Sequence, residues 1–388
     1  MTSTNRHSLQ SHFEPPKGGS SAKKASVSSA GGEYDSAYVF ELENNCDRSL
    51  MACSLSTQDI CIYDTATFTE VSCIRAHSDR INGIEFAKLN PSLLVSTSDD
   101  NNVKLWDVRI PGNTPVFGQT LEDEILDASL GSSDNLLACA CGMGVSFYDI
   151  RQISSSTGCT PQKLGEYTDV HTDTISQVKF HPERSMELVT GSEDGLICIF
   201  NTQVPEGEGA IVSILNTECP VRRVGYFGQN FDGLYCLSTI ESVSVWHSTS
   251  AQRIAHFPEI RTDLDLDYLV DCNYDPSTDS LQVIGGDNNG IGHLISINPF
   301  EVKKLSSFDN GHHSTIRCAI GMGNATQFIT GGEDGRVCIW NGVEQEQKNV
   351  GLASSSNAHH RQHSSHSSAQ KKMKKKNREK GVHGSNPY

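Results

Sequence analysis

Three stretches of the chain carry the residue types of an acyl-transfer site. Each holds a histidine, then a hydroxyl residue, then an aspartate: His77, Ser96 and Asp100; His171, Thr190 and Asp194; His312, Thr330 and Asp334. A hydroxyl beside an imidazole that a carboxylate orients is the arrangement that activates oxygen nucleophiles. Here the aspartate follows the histidine by 23, 23 and 22 positions, so one pattern is built three times. A catalytic site is normally built once. The repetition points instead to a structural role, in which the trio satisfies buried polar groups and ties a loop to the middle of a sheet. A hydrolase using one of these sets is the rival reading, and it requires an accessible histidine. No GxSxG elbow, phosphate-binding glycine loop or metal-spaced His/Glu helix accompanies the trios, so no catalytic residue and no cofactor is expected.

Other groups capable of chemistry are weaker. His359, His360, His363 and His366 could gather around a divalent metal, but a Ser-interrupted tract would lose much chain entropy in doing so, and no metal site is expected. Thirteen cysteines invite a disulfide reading. Their placement opposes it: Cys61, Cys198 and Cys338 share one slot, two residues before a strand-ending aromatic, as small strand residues of a reducing compartment would. Cys139 and Cys141 are too close-spaced for a zinc pair without a second pair elsewhere.

The elements that must position the trios are short strands. From His171 to Asn201 the apolar residues alternate in SQVKF, MELVT and LICIF, and Ser192-Glu193-Asp194-Gly195 supplies a tight turn between the last two. Such a unit cannot bury its own faces, and copies follow at His77 to Val108 and His312 to Asn341. In all three an aliphatic (Ile81, Ile175, Ile316) stands four residues after the histidine, and an aromatic (Trp106, Phe200, Trp340) six after the aspartate. Weaker copies end at Tyr63, Tyr148 and Trp246, and a seventh carries Ile295 in the aromatic slot. Seven units of this length are the expectation for seven four-stranded blades, an all-β propeller. The third unit lacks the histidine, and Gly142 falls where its aspartate should be.

These residues resemble the WD-repeat family over nearly all of residues 34–345. The resemblance implies a seven-bladed propeller of the WD40 type, with buried hydrogen-bonded sets at His77/Ser96/Asp100/Trp106, His171/Thr190/Asp194 with Phe200 replacing the Trp, and His312/Thr330/Asp334/Trp340. It also implies a scaffold that binds other proteins.

Composition agrees with one large domain, because 36 % apolar residues spread through short strands suits many small interfaces. Residues 1–33 are rich in Ser, Gly and Lys and are expected as a disordered arm, with the propeller over 34–350 and a second disordered tail over 351–388. The strand that closes the ring is left open between the polar residues 347–352 and part of the N-terminal arm. No long apolar run and no apolar leader core is present, so a soluble intracellular chain without membrane contact is expected. The tail has eight Lys and Arg against one acid, and the propeller segment 34–350 carries a formal charge of −25. Lys371, Lys372, Lys374, Lys375 and Lys376 read as a nuclear import run, so nucleus and cytoplasm is the expected location.

On the resemblance, the loops carrying the histidines and aspartates share one face, which would gather Asp79, Asp99, Asp173, Glu193 and Glu333. Such a surface favours a Lys/Arg-rich protein over nucleic-acid phosphate. On the opposite rim Trp106-Asp107-Val108-Arg109 and Tyr148-Asp149-Ile150-Arg151 resemble elements by which WD proteins join the adaptor of cullin-4 ubiquitin ligases. Arg109 and Arg151 would then make the chain a substrate receptor; in the other reading each arginine only caps its turn.

Overall fold

The computed structural model describes residues 5–14, 37–151, 162–205, 208–323 and 327–342. Its strands form a seven-bladed propeller, with one short α-helix, Ile260–Asp263, and one 3-10 turn, Glu208–Ala210, among the described residues. No described helix is long and apolar enough to cross a membrane. Each blade is an antiparallel meander counted outward from the central axis. Blade one runs from Val39–Asn44 to Glu70–Arg75, blade two from Ile81–Phe86 to Phe117–Thr120, and blade three from Ile125–Leu130 to Gln162–Tyr167. Blade four runs from Ile175–Phe180 to Ile211–Asn216, blade five from Val221–Phe227 to Gln252–Phe257, and blade six from Tyr268–Asp275 to Glu301–Phe308. Blade seven contributes Ile316–Gly321, Gln327–Gly332 and Val337–Gly342.

The middle strands explain why the blades must stack. Leu50–Leu55 and Glu187–Ser192 are buried on both faces, whereas the outer strand Glu70–Arg75 is mostly exposed. A strand covered on both faces needs a sheet on either side. The core is accordingly divided into seven clusters. One holds Met51, Cys53 and Tyr63 of blade one with Ile329, Val337 and Ile339 of blade seven, and so closes the ring. The fit at these seams is close. A Cβ on Gly331 would lie 2.4 Å from Val39 Cγ1, and one on Gly191 2.5 Å from Val221 Cγ1, so both positions exclude a side chain.

Blade seven takes its fourth strand from the other end of the chain. Asn5–Phe13 pairs antiparallel with Val337–Gly342, with Leu9 opposite Trp340 and Phe13 opposite Val337, and it touches the outer strand of blade six through Asn5 and Arg6. This corrects the expectation of disorder throughout residues 1–33. It also places the closing strand in the N-terminal arm, because Asn5–Phe13 takes the free side of Val337–Gly342; residues 347–352 lie outside the described residues. The segment NRHSLQSHF escapes a composition-based reading because an outermost strand needs only a few apolar anchors. Leu9 packs on the cluster of Phe308 and Trp340, and the Phe13 ring lies 4.5 Å from Tyr63 and 6.3 Å from Phe68 in blade one. One short strand therefore touches three blades.

Two details of register refine the sequence alignment. In blades one, three, four and five the pairing of the last two strands shifts at Tyr63, Tyr148, Phe200 and Trp246, and in blade six it shifts at Ile295, which holds the same slot. Gly142, in contrast, does not replace the aspartate. Its N–H bonds Glu124 O at 3.1 Å, as Glu193 N–H bonds Thr174 O at 3.0 Å, so it stands in the place of Glu193 and the blade-three hairpin is one residue shorter.

Deleting residues 1–14 should leave the Val337–Gly342 edge unpaired and strip the Leu9 and Phe13 anchors. The expected outcome is a melting temperature lower by roughly 5 to 10 °C together with aggregation seen by light scattering. An unchanged melt would show that the strand does not close the ring.

Candidate functional site

The three trios are assembled at equivalent places. In blade two His77 Nδ1 faces both oxygens of Asp100 at 3.0 Å, its Nε2 lies 2.7 Å from Ser96 Oγ, and Trp106 Nε1 donates to the same Oγ at 2.9 Å. In blade seven His312 lies 3.0 Å from Asp334 and 2.8 Å from Thr330 Oγ1, which accepts from Trp340 Nε1 at 2.8 Å. In blade four His171 lies 2.9 Å from Asp194 and 2.7 Å from Thr190 Oγ1, while Phe200 stacks on Tyr167 at 5.4 Å. Only one proton order satisfies the whole set: Trp N–H to hydroxyl oxygen, hydroxyl O–H to Nε2, and Nδ1–H to carboxylate. The aspartates also accept backbone N–H groups of the histidine loops, from Ser78 at 3.0 Å, Thr172 at 3.0 Å and His313 at 2.9 Å.

Electrostatics keeps this order in place. Burial pushes His77 down to about 4 against the pull of Asp100, and burial likewise lowers His171, so both rings are neutral near pH 7. Burial opposes ionisation of Asp100, but the Ser78 N–H and His77 outweigh it and hold the carboxyl at about 2. Ser96, Thr190 and Thr330 are fully buried, and each of their oxygens is already engaged. No substrate carbonyl can reach them, so these trios do not act as hydrolytic triads.

The five acids share the ends of the blades where the histidine loops meet the hairpins. Asp99, Glu193 and Glu333 donate their backbone N–H to Arg80 O, Thr174 O and Thr315 O, which anchors each hairpin to its loop. Asp79, Asp173 and Glu193 are exposed. Asp99 accepts from Asn82 Nδ2 at 2.6 Å, and Glu333 is paired with Arg317. Sequence reasoning missed further acids in the same place. Glu122, Asp123 and Glu124 form the loop before the blade-three inner strand, and Asp263, Asp265 and Asp267 the one before blade six, all exposed. It also missed Arg80, Arg222 and Arg317, which stand beside the first inner-strand residues and line the axial channel. On the opposite rim Arg109 Nε and Arg151 Nε each bond the carboxylate two residues earlier at 2.9 Å, while their side chains remain 68 % and 66 % exposed. The run from Lys371 to Lys376 and the histidine tract lie outside the described residues.

The family model of the WD domain, G-beta repeat matches residues 68–107, 162–201 and 302–341. Each match starts within or just before the outer strand of one blade and ends with the third strand of the next, which is why a strand from elsewhere must complete the ring. Over 313 residues the chain is 30 % identical to WD repeat-containing protein 89 homolog of Dictyostelium discoideum, spanning 79 % of this chain and 83 % of that one. The chain belongs to the WD-repeat family. WD repeat-containing protein GTS1 of Arabidopsis thaliana is also 30 % identical, over 80 % of this chain and 83 % of its own. An uncharacterized WD repeat-containing protein of Saccharomyces cerevisiae is 24 % identical over 74 % of each chain.

The axis of this WD-repeat propeller is a channel of about 630 Å³ walled by charge. Arg223 of blade five reaches Glu41 of blade one at 2.6 Å and Asp271 of blade six at 3.3 Å. Lys179 of blade four reaches Glu85 of blade two and Asp127 of blade three, both at 3.1 Å. Burial pulls the Glu85 carboxyl up, but Lys88, Lys179 and the Leu130 N–H hold it at about 2. Glu43 has no ion pair among the described residues, and burial pushes it up to about 7. The signal was present in the sequence, as charged residues inside inner strands: Glu41 and Glu43 at alternate positions of VFELEN and Asp127 in ILDASL.

Replacing Asp194 with Ala removes the acceptor of His171 Nδ1–H and of two backbone N–H groups at once. Urea melts should show a loss of roughly 1 to 3 kcal/mol. Gly142→Ala, expected from the sequence to be harmless, is not a neutral comparison, because Gly142 holds a φ of +54° that strains any side chain; equal melts for Asp194→Ala and wild type would refute the assignment.

Proposed function

We propose that the chain is a non-catalytic scaffold whose histidine-loop face takes up a Lys/Arg-rich protein segment. WD-repeat proteins act generally as protein-interaction scaffolds, and the charge of this face supplies the chemistry of the partner. The observation that carries the reading is the Glu122-Asp123-Glu124 loop. Blade three has no histidine set to build, yet its loop at the same place is wholly acidic and exposed, next to the exposed Asp173 and Glu193 of blade four. Carboxylates at adjoining loops make a continuous negative edge, which repels phosphate and raises the encounter rate with cations. Arg80, Arg222 and Arg317 ring the channel, so the basic segment runs along the blades and does not enter the axis.

A Lys/Arg-rich peptide tests this directly. Glu124→Lys with Glu193→Lys should lower its association rate roughly tenfold at low salt and flatten the salt dependence, with the melting temperature unchanged. Equal rates for variant and wild type across a salt series would put the binding surface elsewhere.

We also propose that the run from Lys371 to Lys376 directs nuclear import. Its support is compositional: it is the one dense basic cluster of an otherwise acidic chain. With Lys371, Lys372, Lys374, Lys375 and Lys376 changed to Ala, a fluorescently tagged chain should shift toward the cytoplasm. An unchanged nuclear signal would remove the run from the account.

A further inference from the structure

Blade one contains a ladder of cysteines that the repeat does not require. Cys53, Cys61 and Cys73 lie directly opposite one another on three successive strands, Cys53 paired with Cys61 and Cys61 with Cys73. Direct partners in an antiparallel sheet point to the same face with Cα atoms about 4.5 to 5.5 Å apart, within the span of a disulfide. Cys61 Sγ and Cys73 Sγ are 2.7 Å apart. Their environments differ sharply. Cys61 is fully buried in the seam between blades one and seven, whereas Cys73 is exposed on the outer strand.

The same slot in other blades holds no such pair. Cys198 lies between Thr190 and Ile214, and Cys338 between Thr330 and His12. Cys61, Cys198 and Cys338 are equivalent buried strand residues as expected, and Cys61 differs from the other two in having cysteines as both of its direct partners. An accessible thiol backed by a buried one within bonding reach is the arrangement of an attacking and a resolving cysteine.

We propose that Cys73 and Cys61 form a reversible thiol pair, oxidised to an intrachain disulfide by small-molecule disulfides. Cys73 loses its proton to solvent and its thiolate attacks one sulfur of R–S–S–R. That bond breaks, a Cys73–S–S–R adduct forms, and RS⁻ leaves to take up a proton. Cys61 then gives up its proton and attacks the Cys73 sulfur, so that Cys61–S–S–Cys73 forms and the second RS⁻ leaves as RSH. Two protein thiols are oxidised and one external disulfide is reduced to two thiols; an excess of RSH drives the reverse. The order is set by access, because burial keeps the external disulfide from Cys61. The hydrogen bond with Cys73 and burial also hold the Cys61 thiol protonated until its proton passes to the departing RS⁻. The crosslink would pin the exposed outer strand of blade one to its buried neighbour. Ala76 and His77, just beyond that outer strand, bond Gln58 O and open the first histidine loop.

The test uses the full chain and oxidised glutathione. After exposure, remaining thiols are alkylated in denaturant and the chain is cleaved before Asp59 and Asp64, which separates Cys53, Cys61 and Cys73 onto different peptides. The expected wild-type result is a linked Cys61/Cys73 peptide pair, both thiols lost to alkylation together, and recovery of both after excess glutathione. Cys61→Ser should leave a stable glutathione adduct on Cys73, and Cys73→Ser, an exposed change that leaves the core intact, should leave Cys61 fully alkylatable. A stable adduct on Cys73 of the wild type, a Cys53–Cys61 link, or an unmodified Cys73 would each overturn the proposal.

Discussion

The middle strands are covered on both faces, so each blade is stable only between two neighbours, and seven of them satisfy that condition only by closing on themselves. Closure is the constraint on which the remainder depends. A chain that builds each repeat as one outer strand and three inner ones arrives at its last blade a strand short. Asn5–Phe13 supplies the missing strand, so the first and last described strands meet in one sheet. Contacts between residues more than three hundred positions apart, such as Gln10 with Asn341 at 2.8 Å, then hold the ring shut. The loop this closes is the longest in the domain, and its entropic cost grows only slowly with length.

Within the closed ring the polar groups divide into two systems. The histidine sets work inside single blades, joining a loop to a hairpin and a middle strand. The ion pairs of Arg223 and Lys179 work between blades, across the axis. Charges so enclosed are weak evidence for stability, since their desolvation offsets most of their attraction. What they impose is order. With Lys179 absent, Asp127 would lose its one ion-pair partner among the described residues and face Glu85, which keeps Lys88, and only one arrangement of blades two, three and four brings Lys179, Glu85 and Asp127 together.

What could be read from the chain follows from what each residue has to satisfy. Trp106 and Trp340 announce their blades because a buried indole N–H needs a hydroxyl, which forces Ser96 and Thr330 and then the histidines into fixed spacing. Ile295 gives no such signal, having no donor to satisfy, and only its neighbours place it. Gly142 misled because a hairpin shortened by one residue shifts the count from the aromatic without altering the strand pattern. Asn5–Phe13 was invisible to composition: seven of its nine residues are polar, and its two apolar anchors do their work in blades far away in sequence. The candidate face was half legible. Acids beside the histidine sets could be aligned by the sets themselves, whereas Glu122, Asp123 and Glu124 belong to a blade without one and are placed only by the fold.

The arrangement of charge on that face narrows how a partner could sit. If acids alone covered it, any polycation would be drawn to the centre, where the field of a ring of carboxylates is strongest. Instead the axial mouth holds Arg80, Arg222 and Arg317, and Arg222 spends its guanidinium on the backbone carbonyl of Leu269 at 2.8 Å. Arg317 is turned outward onto Glu333, which neutralises that part of the edge. Uncompensated carboxylates stand on blades three and four, where no described basic side chain pairs with Glu122, Asp123, Glu124, Asp173 or Glu193, and again at Asp263, Asp265 and Asp267 before blade six. The face is acidic at blades three, four and six and balanced at blade seven, where Arg317 pairs with Glu333. A basic segment meeting it would be oriented as well as attracted, because sliding toward blade seven would exchange carboxylates for arginine.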